Sequence, residues 1–382
     1  MAHVKRSVPS SVVFTPAIRD VRELSDLTAR VNWYLVDCPV DLSVEVAQSL
    51  HATPDAAPYM DANLVRSGLL HPIAKGTRRP PASETVVHRV DGRSLAAVLR
   101  SPRRSRLAAP GMHFFAEEGY RDLRQDLCPS NLPDASTSYA RLARLRVSAS
   151  AVVIGTGPSA AAVGDVGEYG NRIVCNSAVR DKSFLQQVQP TLIAFCDPVF
   201  HLGPSTYASA FRQDLLEAAE MFPDSLIATT RDWGDVLFAH LPMLKDRVVV
   251  LDSRDQVSWG WPQNGSMFAK STGNVLTKIM LPLAFSLADR VAVAGCDGRK
   301  PSENYFWRHN QRTQYSQGLL NDVFTAHPSF FRDRNYADYY SDHCEELEQL
   351  CAEAERSGKT VRALTSSHIP AMRARGAAEP PD

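Results

Sequence analysis

Ala151-Val152-Val153-Ile154-Gly155-Thr156-Gly157-Pro158-Ser159 is the stretch of sequence that decides the fold. Four apolar residues in a row are typical of a strand buried on both faces, as in a parallel sheet. The glycines then let the chain turn sharply and let a ligand approach the backbone. Ser159 is placed to begin a helix, whose free N–H groups favour an anion. The stretch predicts a nucleotide-phosphate site, and a strand–helix turn without a ligand is the alternative.

Two common nucleotide-binding patterns are incomplete at this turn. Gly155-Thr156-Gly157 begins the pattern G-x-G-x-x-G, but Ala160 stands where the third glycine belongs and Pro158 interrupts. The Lys-Ser/Thr pair of a P-loop is also missing. These departures weaken the dinucleotide and triphosphate interpretations, and they make an NAD-dependent oxidoreductase the least favoured enzyme class.

The composition limits the classes of partner and compartment. The 382 residues include 42 Lys+Arg and 42 Asp+Glu, so no net charge attracts the chain to nucleic acid or to an anionic membrane. No run approaches the roughly 18 apolar residues of a membrane span, and the first residues lack a signal-peptide core, so we expect a cytoplasmic protein. The seven cysteines form no C-x-x-C pair. We expect buried thiols rather than a disulfide or zinc framework, with Cys175, Cys196 and Cys296 in apolar runs.

From about residue 147 onward, apolar runs alternate with helical patterns. This alternation predicts an α/β fold, a doubly wound and mostly parallel sheet of the Rossmann type. The strands are predicted at 151–154, 172–176, 191–197, 226–229, 248–251, 291–297 and 360–364. The helices are predicted at 208–222, at 273–287 with a kink at Pro282, and at 342–356.

The remaining parts of the chain carry no recognisable motif. Residues 1–146 are predicted to form an N-terminal region of α+β character and unknown role, with strands at 32–36 and 86–90. The basic stretch 100–106 is interpreted as a solvated loop rather than an RNA-binding segment, because it lacks interleaved aromatic residues. Residues 147–370 are predicted to form the Rossmann-like nucleotide-binding domain, and residues 371–382 are predicted to be a disordered tail.

Polar residues follow several of the predicted strands. Ligands of open α/β sheets bind beyond the carboxyl ends of the strands, so these residues are expected to converge. A capping or turn role is the alternative for each of them. They are Gly155, Thr156, Gly157, Pro158 and Ser159 after the first strand, Asn176 after the second, Asp197 after the third, Asp297 after the sixth, and Ser271, Thr272, Gly273 and Asn274 at a helix start.

The order of these motifs resembles that of the bacterial sialyltransferases of glycosyltransferase family 42, which include the Campylobacter lipooligosaccharide enzymes. The matching elements are Ile154-Gly155-Thr156-Gly157-Pro158-Ser159, Cys175-Asn176, Ser271-Thr272-Gly273 and Gly295-Cys296-Asp297-Gly298 with Tyr305 nearby. The glycine turn is also similar to that of the wider MptE-like group, which contains pterin pyrophosphokinases and flagellin glycosylation factors. The resemblance covers roughly residues 147–370 and implies a sialyltransferase-type variant of the GT-A fold.

The resemblance also implies roles for individual residues. Gly155, Thr156, Gly157, Ser159 and Asn176 would contact a CMP-activated sugar, although family members usually have Asn where this chain has Thr156. Ser271, Thr272 and Gly273 would bind the cytidine, and Lys270 would add positive charge. Tyr305 would support the leaving phosphate, through a segment that Gly295–Gly298 matches only loosely. Arg308 or His309 would meet the sugar carboxylate or the acceptor.

A histidine at the start of the last long helix is the catalytic base of that family. Asp342 and Glu345 form a D-x-x-E capping box, which predicts that His343 lies in the first helical turn. The helix dipole there opposes protonation and favours the neutral imidazole that a general base requires. His327 is the competing candidate, and an exposed His343 without a catalytic role is the other alternative.

The function that follows is inverting transfer of a sialic acid-like or Kdo-like sugar from a CMP-linked donor to a glycan, as in polysaccharide biosynthesis. The chain has no D-x-D triplet, which suits a metal-independent transferase with no cofactor beyond the donor substrate. An MptE-like pyrophosphokinase with magnesium at Asp197 and Asp297, and a non-catalytic nucleotide-binding module, are the alternatives. Expected partners are the donor and the acceptor, not nucleic acid. Peripheral contact with the inner membrane and a homo-oligomer are compatible with the sequence.

Overall fold

A computed structural model describes residues 11–51, 70–74, 85–89, 120–121, 123–128, 130–146, 148–255, 257–299, 312–313, 315 and 336–378. The chain divides into two units, residues 1–130 with 324–332 and residues 131–323 with 333–382. The division lies earlier than the predicted 146/147 boundary because the helix at 135–143 packs within the second unit. There, Arg141 donates to the carbonyl of Val248 at 2.6 Å.

The first unit contains a four-stranded sheet in which every pairing is parallel. Its strand order is β3-β2-β1-β4. The strands are β1 (Ser11–Ile18), β2 (Asp41–Val46), β3 (Leu70–Ala74) and β4 (Thr85–Arg89). The helices are α1 (Val21–Tyr34) and α2 (Gln48–His51), and residues 123–127 are also helical.

The strand predicted at 32–36 is wrong, because most of it is the end of α1. Leu24, Leu27, Val31 and Tyr34 are all buried, and their spacing of three and four residues is that of a helix packed along one face. The strand predicted at 86–90 is confirmed as β4, one residue earlier than expected.

The second unit contains the predicted doubly wound sheet, and its eight strands are all parallel. The strand order is β10-β9-β8-β7-β6-β5-β11-β12. Its strands are β5 (Ser150–Ile154), β6 (Asn171–Cys175), β7 (Leu192–Ala194), β8 (Leu226–Thr230), β9 (Val248–Arg254), β10 (Phe268–Lys270), β11 (Arg290–Ala294) and β12 (Thr360–Ala363). Seven of these match the predicted strands, and β10 is additional.

Helices connect the strands of this sheet. They are α3 (Ala135–Ala143), α4 (Lys182–Val188), α5 (Thr206–Met221), α6 (Arg231–His240), α7 (Leu281–Leu287), α8 (Tyr336–Arg356) and α9 (Pro370–Arg373). Short 3₁₀ turns lie at Pro158–Ala162, Asn176–Arg180 and Pro242–Arg247, and π-helical turns lie at Pro198–Leu202 and Leu276–Met280. The helix predicted at 273–287 is observed as the π turn followed by α7, and Pro282 is the second residue of α7.

One hydrophobic core of the second unit lies between the sheet and the helices α7 and α8. Every residue of α7 is buried, and so is every residue of β5, which explains why both segments are almost purely apolar. On α8, Leu347, Leu350 and Cys351 form the buried stripe. No helix of the described residues combines the length and the apolar character that a membrane crossing requires.

Two further predictions about this unit are wrong. The helix expected at Ser159 is only the 3₁₀ turn Pro158–Ala162, because Gly164, Gly167 and Gly170 follow it and disfavour a longer helix. The tail predicted to be disordered is folded as far as residue 378. Arg375 pairs with Glu348 and Glu355 at 2.7 and 2.6 Å, and its carbonyl accepts from the N–H of Ala363 at 2.9 Å.

The strand order changes direction at β5. The chain moves from β5 through β6 to β10 on one side and then returns to place β11 and β12 on the other side. Such a switch point is where open α/β sheets bind ligands, beyond the carboxyl ends of the strands. The fold therefore brings the ends of β5, β6 and β11 together at the expected position of the site.

Candidate functional site

The glycine turn, residues 155–159, continues the pairing between β5 and β11. The N–H groups of Gly155 and Gly157 donate to the carbonyls of Ala294 and Gly295, each at 2.9 Å. A Cβ on Gly155 would lie 2.6 Å from the carbonyl oxygen of Gly295, and a Cβ on Gly157 would collide with that oxygen and with Asp297. Close approach of two protein segments thus accounts for both glycines.

Asp297 occupies the position that the sequence predicts for a phosphate at this turn. Its Oδ1 accepts from the N–H of Ser159 at 2.9 Å and its Oδ2 from the Ser159 hydroxyl at 2.8 Å. Ser159 Oγ also lies 2.9 Å from Thr365 Oγ1, which accepts from the N–H of Gly295. Burial raises the pKa of Asp297, and the hydrogen bonds from Ser159 oppose that shift. Asp297 binds β11 to the glycine turn.

Thr156 and Pro158, the other two residues of the glycine turn, differ in their exposure to solvent. The Thr156 side chain is buried and Pro158 is exposed. Thr156 therefore faces the protein interior, where its hydroxyl is less accessible to a ligand than the resemblance implies.

The 271–274 turn lies beyond the end of β10 and precedes the helix formed by Leu276–Met280 and α7. Asn274 Oδ1 accepts from the N–H of Leu276 at 2.8 Å. The hydroxyls of Thr272 and Thr277 are 2.9 Å apart, and both side chains are buried. Ser271 is half-buried and Gly273 is exposed. Thr272 and Asn274 organise the helix start, and Gly273 presents its backbone to the surface.

Helix α8 packs against this turn through Tyr339 and Glu346. The Tyr339 hydroxyl donates to the carbonyl of Gly273, and its ring lies where a Cβ on that glycine would be. The Glu346 carboxylate lies near the same turn, where the N–H of Gly273 acts to lower its pKa. Burial raises the pKa of Glu346, with the charge of Asp342 acting in the same direction. Both turns therefore hold a carboxylate of the protein itself.

Two lysines distinguish the surroundings of Glu346. The charges of Lys270 and Lys278 both act to lower the Glu346 pKa, against burial and the charge of Asp342. Lys270 also lies over the ring of Trp259, 4.5 Å from its centroid. Lys278 acts in addition on Cys196, beyond the end of β7. Positive charge is thus concentrated between the 271–274 turn and the centre of the sheet edge.

His343 lies on the same face of α8 as Tyr339 and Glu346, since the three are spaced four and three residues apart. The predicted capping box is wrong: α8 begins at Tyr336, so His343 is in the third turn rather than the first. The side chain is 1% exposed, and burial lowers its pKa to about 4. The imidazole is neutral at pH 7, as expected, but burial rather than the helix dipole is the cause.

Asn176 ends β6 in a left-handed conformation, with a φ of 48°. Ile154 pairs with Val174, so Asn176 and the glycine turn follow neighbouring strands at the same edge of the sheet. Its Oδ1 is buried and accepts no hydrogen bond from the described residues. An unsatisfied buried acceptor costs free energy and, together with backbone strain, is a feature of ligand sites.

The three cysteines at this edge are thiols, as predicted, and all seven cysteines of the chain lie among the described residues without a disulfide. Cys175 and Cys296 are buried and Cys196 is half-buried. Burial raises the pKa of Cys196 to about 11 and that of Cys296 to about 12. They are protonated near pH 7, so they do not supply a nucleophilic thiolate.

Asp197 starts the loop after β7. Its Oδ1 accepts from the N–H of Phe200 at 2.9 Å, and its own N–H donates to Nδ1 of His201 at 3.2 Å. His201 is packed against Phe195 and Phe211, and burial lowers its pKa to about 4. These contacts make Asp197 and His201 parts of the loop structure.

Several predicted site residues lie outside the described residues, namely Tyr305, Arg308, His309 and His327. The described residues also contain contacts that the sequence analysis missed. Tyr340 bonds through its hydroxyl to the N–H and the carbonyl of Arg299, at 3.2 and 3.3 Å, on the loop after Asp297. The adjacent tyrosines of α8 thus contact both loops of the site. In the sequence, Tyr339 and Tyr340 precede His343 by four and three residues, and His343 precedes Glu346 by three. This helical spacing could have indicated that they share a helix face.

Comparison with known proteins adds little beyond the fold. No protein-family model matches the chain, and no curated protein matches it. Among solved structures, the chain is similar to the monofunctional alpha-2,3-sialyltransferase Cst-I from Campylobacter jejuni, with 15% identity, a TM-score of 0.34, and coverage of 56% of this chain and 75% of that one. It is also similar to the MAf glycosyltransferase from Magnetospirillum magneticum AMB-1, with 12% identity, a TM-score of 0.33, and coverage of 98% and 57%. Such weak similarities assign no activity to this chain.

Proposed function

We propose that the chain is a glycosyltransferase that takes an acidic sugar, sialic acid-like or Kdo-like, from a CMP-linked donor. The observation that carries this proposal is the 271–274 turn, where the exposed Gly273 precedes a helix and Lys270 and Lys278 act on the neighbouring Glu346. A helix N-terminus with neighbouring lysines favours a phosphate. Glu346 now holds the anion position there.

Displacement of Glu346 is favourable for a phosphate in this setting. The raised pKa of Glu346 means that its ionised form is poorly solvated where it is held. A phosphate brings more acceptor oxygens to the N–H group of Gly273 and to both lysines. The Glu346 side chain is half-buried on the surface of α8, so it can move to admit the ligand.

Asn176 is assigned to the sugar portion of the donor. Its buried Oδ1 is an acceptor, so its natural partner is a hydroxyl of the ribose or of the transferred sugar rather than a phosphate oxygen. The left-handed backbone costs of order 1 kcal/mol or more, which a bound ligand would justify.

The proposed reaction is inverting and needs no metal, because the lysines supply the charge for the leaving group. The acceptor hydroxyl attacks the anomeric carbon, the bond to the CMP phosphate breaks, and CMP leaves with the bonding electrons. His343 is the proposed acceptor of the hydroxyl proton, and this role requires that ligand binding uncover its imidazole, which is 1% exposed in this structure. A neutral imidazole with a pKa of about 4 is a weak base, but the attacking hydroxyl becomes strongly acidic as its new bond forms. Tyr339 and Lys278 stabilise the leaving phosphate.

The alternative of a magnesium-dependent pyrophosphokinase receives less support from Asp197 and Asp297, the carboxylates that would bind the metal. Both oxygens of Asp297 accept hydrogen bonds from Ser159, and Asp197 caps the turn at Phe200. A metal at these carboxylates would have to break contacts that hold two loops together.

A thermal-shift panel tests the proposal, with CMP, CDP, GTP, ATP and NAD, each with and without Mg²⁺. We expect a shift with CMP or CDP that is indifferent to Mg²⁺, and release of CMP from CMP-sialic acid or CMP-Kdo when a glycan acceptor is present. His343→Ala should abolish release yet keep the CMP shift, and Asn176→Ala should weaken donor binding. A shift only with ATP or GTP plus Mg²⁺ would overturn the proposal in favour of the pyrophosphokinase. CMP binding without turnover on any donor would indicate a non-catalytic module.

A further inference from the structure

Two cysteines of the first unit lie in direct contact, although 90 residues separate them in the sequence. Cys38 follows α1, and Cys128 follows the helical residues 123–127. The Cys128 thiol donates to Sγ of Cys38 at an S···S distance of 2.8 Å. That distance is within about 0.8 Å of a disulfide bond length. Cys38 is buried and Cys128 is half-buried.

A buried arginine stands beside this cysteine pair. Nη1 of Arg124 lies 4.0 Å from Sγ of Cys38, donates to the carbonyl of Tyr34 at 3.0 Å, and forms an ion pair with Asp37 at 2.6 Å. The hydrogen bond with Cys128 and burial raise the pKa of the Cys38 thiol, and the guanidinium opposes them. A neighbouring cation of this kind favours the thiolate that reacts in disulfide exchange.

We propose that Cys38 and Cys128 are a thiol pair that oxidises to a disulfide with a low-molecular-weight disulfide as oxidant. The more exposed Cys128 loses its proton and attacks one sulfur of the oxidant, which forms a mixed disulfide and releases one small thiolate. Cys38 then loses its proton and attacks Sγ of Cys128, which releases the second small thiolate. The pair gives up two protons and two electrons in total, and the oxidant becomes two small thiols.

A metal site is the competing explanation for the same cluster. Ligand atoms of Asp37, Cys38 and Cys128 all lie within 4.8 Å of one another. The Arg124 guanidinium, however, already holds the Asp37 carboxylate and lies beside the Cys38 sulfur. A divalent cation in this position would face a buried positive charge, which makes the disulfide the better assignment.

The disulfide would close a loop that contains β2, β3 and β4, three of the four strands of the small sheet. A cross-link of this length restricts the unfolded chain strongly. The oxidised first unit is therefore expected to unfold several degrees above the reduced one. The redox state of the surroundings would set the stability of this unit.

Thiol counting and peptide mapping of the full chain test the proposal. The protein is incubated with oxidised glutathione or with dithiothreitol, unfolded, and titrated for thiols, and its peptides are mapped without reduction. We expect oxidation to remove two of the seven thiols and to link only the peptides that contain Cys38 and Cys128. The Cys128→Ser variant should lose no thiol pair. Cys344→Ser, which changes another half-buried cysteine, should form the same link as the unchanged chain.

Two results would overturn the assignment. One is the persistence of all seven thiols in oxidised glutathione, or a link between other cysteines. The other is stoichiometric zinc in the purified protein whose removal by a chelator is needed before Cys38 and Cys128 react, which would assign the cluster to a metal. Mapping of the unchanged chain decides between these results even if Cys128→Ser does not fold.

Discussion

The glycine turn and the 271–274 turn both hold a carboxylate where the sequence predicts a phosphate, but they hold it differently. Asp297 accepts two hydrogen bonds from Ser159 and lies over buried glycines that are packed backbone to backbone. Glu346 lies beside the exposed Gly273, and the charges of Lys270 and Lys278 act on its carboxylate. We interpret Asp297 at the glycine turn as a structural contact between two segments, and Glu346 at the 271–274 turn as the occupant of an exchangeable anion site.

This contrast indicates that a helix start or a glycine turn does not by itself identify a phosphate site. What distinguishes the two turns is the charge around the resident carboxylate. Asp297 accepts hydrogen bonds from the N–H and the hydroxyl of Ser159, one at each carboxylate oxygen. Glu346 feels the charges of Lys270 and Lys278, and the charge of Asp342 opposes them. No lysine of the described residues acts on the Asp297 pKa in this way.

Closing the space at the glycine turn should have the largest effect. Gly157→Ala places a Cβ against the carbonyl of Gly295 and the carboxylate of Asp297, neither of which can move without parting β5 from β11. We expect a loss of about 3 kcal/mol or more in the free energy of unfolding, measured with urea. Gly164→Ala is the matched control, because nothing lies within 4 Å of its Cβ, and it should change stability by less than about 0.5 kcal/mol. Equal losses of stability in the two variants would refute the structural role of the close contact between the glycine turn and residues 295–297.

Acid should weaken the unit through the histidine behind the 271–274 turn. The pKa of His343 falls from 6.5 to about 4 on folding, so the folded chain binds fewer protons than the unfolded one. The stability due to this group is complete above pH 6.5 and is lost as the pH falls toward 4, by about 3 kcal/mol. The raised pKa values of Asp297 and Glu346 act in the opposite direction, since folding makes those carboxyls take up protons.

The comparison of unfolding curves at pH 7 and pH 4.5 isolates this contribution. His343→Gln removes the titrating group. The free energy of unfolding of this variant should therefore depend less steeply on pH than that of the unchanged chain. His201, which is also buried with a pKa of about 4, remains in the variant and supplies the residual slope. Identical slopes in both proteins would show that His343 does not titrate as the structure implies.

Neutralising the two carboxylates separately should have opposite consequences. Asp297→Asn weakens the charge-assisted bonds to Ser159, and we expect it to cost about 2 kcal/mol of stability. Glu346→Gln removes the anion that competes with a phosphate, and we expect CMP to bind several-fold more tightly at little cost in stability. Urea unfolding and CMP titration by calorimetry measure both variants. If CMP bound more tightly to Asp297→Asn and not to Glu346→Gln, the glycine turn rather than the 271–274 turn would be the anion site.

The smallest expected effect is that of one lysine at the exchangeable site. Lys278→Met keeps the length of the side chain and removes its charge, so CMP affinity should fall about tenfold without a comparable change in stability. Lys245→Gln removes an exposed lysine from a turn outside the site and should leave CMP affinity unchanged. The affinity of Lys278→Met should also depend less on salt concentration. Equal weakening in the two variants would indicate only a general charge effect.

The sequence predicts the large sheet well because its strands are buried on both faces and appear as apolar runs. It does not reveal the small sheet, where Pro16 interrupts β1 and Pro72 interrupts β3. The three residues of β10 are too few to form a pattern. Predicted strand ends were accurate enough to place Asn176 and Asp297 at one edge.

The site itself was predicted in part. Both turns were found from local sequence, but their occupants come from far away, since 138 residues separate Ser159 from Asp297. The D-x-x-E pattern at Asp342 suggested a helix start, whereas the preceding turn of α8 continues through Tyr339. Local pattern cannot weigh a capping box against the packing of a longer helix, and that packing is what buries His343.

The position of β11 in the sheet has a consequence for synthesis of the chain. The glycine turn leaves the ribosome well before Asp297, and at about 5–20 residues per second the delay is on the order of ten seconds. During that time β5 has an open edge on the side that β11 later covers. The nascent protein must therefore keep an apolar strand from pairing wrongly until its neighbour arrives. We expect chaperone demand during translation to end only when residues 290–297 have emerged.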